Sequence, residues 1–368
     1  MPKTKRSGVS AERRKLLRLV QYGDGARASA RFNFQFHEAH KTCGPLAVWK
    51  LKRRERRAPL APKLCHSILR ASIRFAVAVC FGLLAANESR AQAPGVKVVR
   101  DRGEQFETLV AKANALRVAG ALLSIAEVTN QMRRATCELQ LPKPSEKKLS
   151  DREIWQRSRE AHVRVGWHYL CHKCNNWHQN LAGGYFITAD GVIATCYHVV
   201  EPDDGIREGY LVAGTEDGRF FPITEVLAAD KTSDVAIIRA KLDAPAKPLA
   251  LNTNVFPGDA AWCYSDPLGR SGYFSKGMVN RFFMQPRKPR AETARMEVST
   301  DWAPGSSGAA VLDECGNAIG HVSEISSAGS GRNRGTNQTA GAASPVIVFH
   351  CASRAADVLA LVKPVKGK

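Results

Sequence analysis

Short apolar runs broken by turn residues dominate the middle of the chain. They occupy residues 162–166, 184–188, 191–194, 210–213, 220–223 and 235–238. Runs of this length bounded by Gly, Asp and Pro predict strands, and their even spacing between 163 and 242 predicts a closed antiparallel sheet. A connector at 241–248 contains prolines, and a second set of runs begins near Leu251 and ends at 346–349. Ahead of the strands the period changes. Leu109, Ala113, Leu116, Ala119, Leu122 and Ile125 recur at three- and four-residue spacing, which predicts a helix over 104–136. Pro142 and Pro144 end that pattern in a Lys- and Ser-rich linker, and a second short helix is expected at 150–160. Residues 355–362 read as a C-terminal helix.

Residues 1–68 show no periodic pattern, and 50–57 form a basic run of the kind that stays solvated. From Arg70 the character changes again. Arginines precede an apolar run from Phe75 to Ala86, and Ala91 and Ala93 supply a small-x-small site before Pro94. That layout predicts a signal peptide at 69–93, or else a short membrane anchor or buried helix, since the run is too short for a stable span; the signal peptide implies an exported protein, periplasmic or extracellular. Its position predicts a translation start downstream of Met1, near Leu64 or Leu69, with 1–68 a basic leader or a mis-assigned start. The expected organisation then continues with a helical accessory segment and linker at 94–150. A first strand domain follows at 151–243 and a second at 244–368.

Charge changes the picture little. The formal net charge is +20, which invites a nucleic-acid partner. Yet residues 1–93 hold 20 of the 54 Lys and Arg and only 5 of the 34 Asp and Glu. The basicity lies mostly outside the part expected to fold, and no nucleic-acid partner is predicted.

Candidate chemistry begins at Gly305-Ser306-Ser307-Gly308. Small residues there let a tight turn hold a serine hydroxyl clear of the backbone, with N–H groups able to converge as an oxyanion hole requires. An apolar strand follows at 309–312 and another at 318–322, on either side of Gly316-Asn317. Alone, such a turn reads equally as a plain loop. Upstream, the apolar strand at 192–195 runs on to His198, and Asp234 opens another. A serine nucleophile needs a base for its proton, and the base needs a carboxylate to fix its tautomer.

The order His198, Asp234, Ser307 resembles that of a trypsin-like serine peptidase, closest to the bacterial HtrA/Deg type. The run from Gly183 to His198, the strand opened by Asp234, the segment from Tyr264 to Gly269 with Gly277 to Val279, and the loop from Pro304 to Gly308 each resemble a segment of that family, in order, over roughly 160–350. The sequence departs at Ala309, where the family has a second glycine, and it has two fewer residues between Asp301 and Ser307. No segment after residue 350 is long enough for the PDZ domain of a typical member.

The resemblance implies an all-β core of two antiparallel six-stranded β-barrels, with an N-terminal helical segment and a short C-terminal helix. It implies a serine endopeptidase acting through an acyl-enzyme on exported or misfolded polypeptides, with no cofactor required for catalysis. His198 and Asp234 come from the first barrel and Ser307 from the second. The N–H groups of Gly305 and Ser307 form the oxyanion hole. For specificity, Asp301 reads either as an acidic pocket floor or as part of a strand, and His321 as a pocket-wall residue. Oligomerisation is left open. Two alternatives remain: an inactive barrel that binds peptides or zinc, and an α/β-hydrolase esterase, which would need His350 as base.

The cysteines stand apart. Cys171 and Cys174 form a C-x₂-C pair with His178 four positions on. With His172 or a distant residue these can hold a structural zinc. In an exported protein a Cys171–Cys174 disulfide fits equally well. The pair is not followed directly by histidine, so haem attachment is not indicated. Cys196 reads as a small core residue.

Overall fold

The structure, a computed structural model, describes residues 98, 101, 106–287, 291–329 and 345–365. The basic leader, the signal-peptide segment and the tip of the 285–290 basic loop lie outside the described residues.

The helix expected over 104–136 is two helices, α1 (Phe106–Val118) and α2 (Ile125–Gln131). Gly120 causes the break: its φ of +67° is a left-handed conformation that ends α1. Ser124 then caps α2, its side chain bonded to the Glu127 N–H while Glu127 reaches back to the Ser124 N–H. Both helices pack on the first sheet. Val128 and Met132 join its core, and Leu109 meets Leu181 and Val212. A short strand β1 (Cys137–Glu138) follows, then α3 (Asp151–Ala161), opened by the same kind of capping box at Ser150 and Glu153.

The first sheet consists of β2 (His162–Cys171), β3 (Trp177–Phe186), β4 (Val192–Thr195), β5 (Ile206–Gly214), β6 (Phe220–Asp230) and β7 (Val235–Ala240). These antiparallel strands close into a six-stranded barrel in the order β2-β3-β4-β7-β6-β5. A single helical turn, α4 (Tyr197–Val200), interrupts the chain after β4. The second sheet consists of β8 (Ala260–Ser265), β9 (Tyr273–Arg287), β10 (Ala291–Val298), β11 (Ala310–Leu312), β12 (Ala318–Gly329) and β13 (Pro345–Arg354). Its order is β10-β13-β12-β11-β8-β9, and β9 pairs with β10. The helix α5 (Ala355–Leu359) and strand β14 (Val362–Lys363) close the described chain, with β14 parallel to β1.

β4 and β7 are near-continuous apolar runs because they are buried on both faces. In β4, Ile193 points into the first barrel with Val163, Val165 and Leu211. Its neighbours Val192 and Ala194 face outward into a third core, between the sheets. That core also holds Tyr185, Val235 and Ile237 from the first sheet and Trp262, Ala310 and Leu312 from the second. A smaller cluster fills the second sheet around Val279, Met296, Val298 and Val311. Apolar side chains from both sheets are thus buried together between them, as they are in each interior.

Candidate active site

β4 delivers the first functional side chain. Cys196 follows it, wholly buried, with its Sγ donating to the Val322 carbonyl at 3.0 Å. This anchors the start of α4, and His198 emerges from that turn with its side chain 46% exposed. The imidazole Nδ1 lies 2.9 Å from Asp234 Oδ2 and 3.0 Å from Oδ1. The His198 backbone N–H also donates to Asp234 Oδ1, at 3.1 Å. A carboxylate facing Nδ1 fixes the proton there and leaves Nε2 free to accept one.

Asp234 occupies the turn from β6 to β7 at a φ of +58°, unusual for a residue with a side chain. Asp230 builds that turn by accepting the N–H of Thr232 at 3.1 Å, the N–H of Ser233 at 3.0 Å and the Ser233 hydroxyl at 2.6 Å. The carboxylate itself is buried. Burial works to raise its pKa, but the His198 charge, its hydrogen bonds and the Ser323 hydroxyl at 2.6 Å hold it well below the usual carboxylate range. For His198, burial opposes the charged form, and the charge and hydrogen bond of Asp234 outweigh it, so its pKa is raised.

The serine loop packs against the strands that carry this pair. The Gly183 N–H donates to the Ser307 carbonyl at 2.7 Å, and the Gly308 N–H to the Val322 carbonyl at 2.7 Å. Gly308 is required twice over. Its φ is +84°, and a Cβ there would stand 2.2 Å from the Gly183 carbonyl oxygen and 2.3 Å from Thr195 Oγ1. Ala309 fits where the family has glycine because its methyl faces Gly183, whose own Cβ would lie 2.9 Å away. Gly305 has a φ of +100°. The N–H groups of Gly305 and Ser307 donate to no acceptor among the described residues, as an oxyanion hole requires. Ser307 Oγ makes no hydrogen bond to His198 here; such bonds are often open before substrate arrives.

Several supporting residues had not stood out in the sequence. Arg295 on β10 is wholly buried, donates to the Ser233 carbonyl at 2.7 Å and bonds the Ser353 hydroxyl, which itself donates to the same carbonyl at 2.7 Å. A guanidinium from the second sheet thus grips the peptide just before Asp234. Arg164 on β2, also buried, pairs with Asp266 after β8 and donates to Ser271 Oγ at 3.0 Å. Asp266 also accepts the Gly272 N–H at 2.9 Å. Two residues on, the Leu268 N–H donates to the Pro304 carbonyl at 2.8 Å, which ties this turn to the serine loop. The only sequence signal was a charged residue at an alternating strand position, which normally marks a wet face. Here those faces meet each other.

The expected pocket residues sit differently from one another. His321 is fully buried, and its Nε2 donates to the Asp234 carbonyl at 3.3 Å with the Tyr185 ring beside it. It backs the aspartate instead of lining a pocket wall, and burial pushes its pKa down to about 4, so it is neutral. Asp301 is exposed, and its carbonyl accepts the Ser275 hydroxyl at 3.0 Å. The esterase alternative fails on topology: strand β11, not a helix, follows Ser307. His350 packs edge-on against Trp302 with ring centroids 5.0 Å apart. Cys171, Cys174 and His178 come together on the β2–β3 hairpin, with both thiols free.

Residues 182–320 match the family model of the trypsin-like peptidase domain. Over that region the chain resembles trypsin-like serine peptidases of the HtrA type. It is 29% identical over 143 residues to HhoA of Synechocystis sp., provisionally named a serine protease. It is 33% identical over 107 residues to Do-like 14 of Arabidopsis thaliana, provisionally named a protease. It is 28% identical over 159 residues to the serine protease PepD of Mycobacterium tuberculosis. These matches cover 37%, 28% and 40% of this chain, and 35%, 25% and 34% of the respective relatives. The chain therefore spans about a third or less of their length. The matched peptidase region runs from β3 to β12 and includes His198, Asp234 and Ser307.

Proposed function

We propose that this protein is a serine endopeptidase in which Ser307, His198 and Asp234 form the catalytic triad. What supports the reading is the His198–Asp234 pair on the first sheet, with the Ser307 loop hydrogen-bonded to β3 on one side and β12 on the other. In the proposed reaction Ser307 Oγ attacks the scissile carbonyl while His198 Nε2 takes its proton. The oxyanion is received by the N–H groups of Gly305 and Ser307. Collapse of the tetrahedral adduct breaks the C–N bond, and His198 returns the proton to the leaving amine. Water then gives a proton to His198 as it attacks the acyl carbonyl, and the adduct collapses by breaking the ester C–O bond while His198 returns that proton to Ser307 Oγ. Asp234 keeps the imidazole in the Nδ1–H tautomer and stabilises its charged form, and no metal or cofactor takes part in any step.

The proposed substrates are exported or misfolded polypeptides, a setting that rests on the signal-like segment at 69–93. Among the described residues no helix is long and apolar enough to cross a membrane. Casein hydrolysis by the full chain tests the triad. Ser307→Ala and His198→Ala are expected to lower kcat by a factor on the order of a thousand or more. His350→Ala is expected to retain activity. Equal rates for Ser307→Ala and the parent protein would rule the assignment out.

A further inference from the structure

The β2–β3 hairpin carries a cluster that the peptidase reaction does not use. Its base is braced by aromatic packing. Trp177 stacks on His168 with ring centroids 4.6 Å apart, and the Arg117 guanidinium lies 4.6 Å from the Trp177 ring. Its tip has no such support: residues 172–176 are all exposed. There the chain turns through Asn175 at a φ of +55°, and the Cys171 N–H donates to the Asn176 carbonyl at 3.0 Å.

That turn gathers three soft ligand atoms. Cys174 Sγ lies 2.9 Å from His178 Nε2, and the ligand atoms of Cys171, Cys174 and His178 are all within 4.8 Å of one another. Zn–S bonds near 2.3 Å and Zn–N bonds near 2.0 Å put tetrahedral ligand pairs ~3.5–3.8 Å apart. The Cys174–His178 pair is somewhat closer than that, and no pair exceeds 4.8 Å, so the three atoms are close enough together to share one ion. The Lys173 N–H is aimed at the first of the sulfurs, donating to Cys171 Sγ at 3.3 Å. Backbone N–H groups aimed at sulfur stabilise the metal-binding form of a cysteine. His178 is what favours a metal over a disulfide. Its Nε2 sits against a sulfur, where a Cys171–Cys174 bridge has no use for an imidazole.

We propose that Cys171, Cys174 and His178 bind a thiophilic divalent cation, zinc in the first instance, through two thiolates and one imidazole, with the fourth position left to solvent. Two sulfurs and one nitrogen suit zinc over calcium or magnesium, which take oxygen ligands. Binding releases the thiol protons to water and involves no redox step. The ion substitutes for the missing apolar packing at the hairpin tip.

The test uses the full chain, purified under reducing conditions and dialysed against a weak chelator. Elemental analysis is expected to find about one zinc per chain. Replacement by cobalt is expected to give the intense near-ultraviolet absorption of cobalt–thiolate bonds. Cys174→Ser and His178→Ala should each lose the metal. Cys315→Ser, at a distant turn, should keep it and serves as the control for metal held elsewhere. Far-ultraviolet circular dichroism confirms that each variant is folded. Zinc content unchanged in folded Cys174→Ser would overturn the proposal. So would a metal-free parent protein whose reactive thiols fall two short because Cys171 and Cys174 are bridged. Neither result bears on labelling or substitution of Ser307, so the two proposals fail separately.

Discussion

At the scale of single residues, the site turns on how two opposed effects resolve at His198. Burial alone drives an imidazole toward its neutral form, yet Asp234 outweighs burial and the pKa is raised above its usual 6.5. The base works only when neutral. Activity should therefore rise with pH through a value above 6.5 and be lost below it, while Asp234 stays ionised throughout. A kcat/KM profile against a peptide ester checks this, and a limb lying below 6.5 in the parent protein contradicts the pairing. Asp234→Asn removes the charge that raises the pKa, so the residual activity should show that limb at lower pH. Arg295 works one peptide further back. Arg295→Met removes a charged donor from the Ser233 carbonyl, a loss on the order of 1.5–3 kcal/mol. Felt at Asp234, that is roughly a tenfold to hundredfold fall in kcat with little change in KM. A purely structural role would lower stability and leave kcat per folded molecule alone.

At the scale of elements, the connections between the sheets carry the argument. Arg164 of β2 and Asp266 after β8 form a buried pair. Burial raises the Asp266 pKa less than His162 and Arg164 lower it, and the group is held far below its usual range. Breaking a buried pair strands the other charge, so Asp266→Asn should cost about 3–5 kcal/mol in denaturant unfolding. A stabilised or unchanged midpoint would show the pair to be dispensable. Gly308→Ala makes the companion case in the serine loop. Its positive φ alone costs about 1–3 kcal/mol, and the blocked Cβ adds to it, so both stability and hydrolysis should fall.

These elements also show where the sequence was readable. The strands around Ile193 and Ile237 and the capped helix at 151–161 could be read because apolar runs and turn residues are local signals, whereas His198, Asp234 and Ser307 were singled out by an order that resembles the trypsin-like family, and the structure brings His198 against Asp234. The break at Gly120 was hidden because the three- and four-residue spacing runs straight across it. Arg164, Arg295 and Ser323 were hidden for a different reason. Polar residues alternating along a strand ordinarily mark a wet face, and only the docking of one sheet on another turns that face into a dry interface. His321 of β12 reads as a pocket wall from its place near the serine loop, and only the packing of the first sheet against β12 buries it on the Asp234 carbonyl.

At the scale of the whole molecule, the proposed triad draws on both sheets. The first carries His198 and Asp234, the second carries the Ser307 loop, and Cys196, Ser323 and Arg295 bind across the seam between them. The dry core around Tyr185, Trp262 and Leu312 fixes that seam, so the reacting groups are positioned by packing and not by the loops alone. The chain's net charge of +20 has little to do with this arrangement, since most of it falls before residue 94.

The most direct measurement of the central claim is labelling of the full chain with a fluorophosphonate probe, beside its Ser307→Ala variant and with the modified peptide located by mass spectrometry. The account predicts a single adduct on Ser307, absent from the variant and weakened in His198→Ala. A well-folded parent protein that takes no label, or a Ser307→Ala variant that labels as fast as the parent, would contradict it.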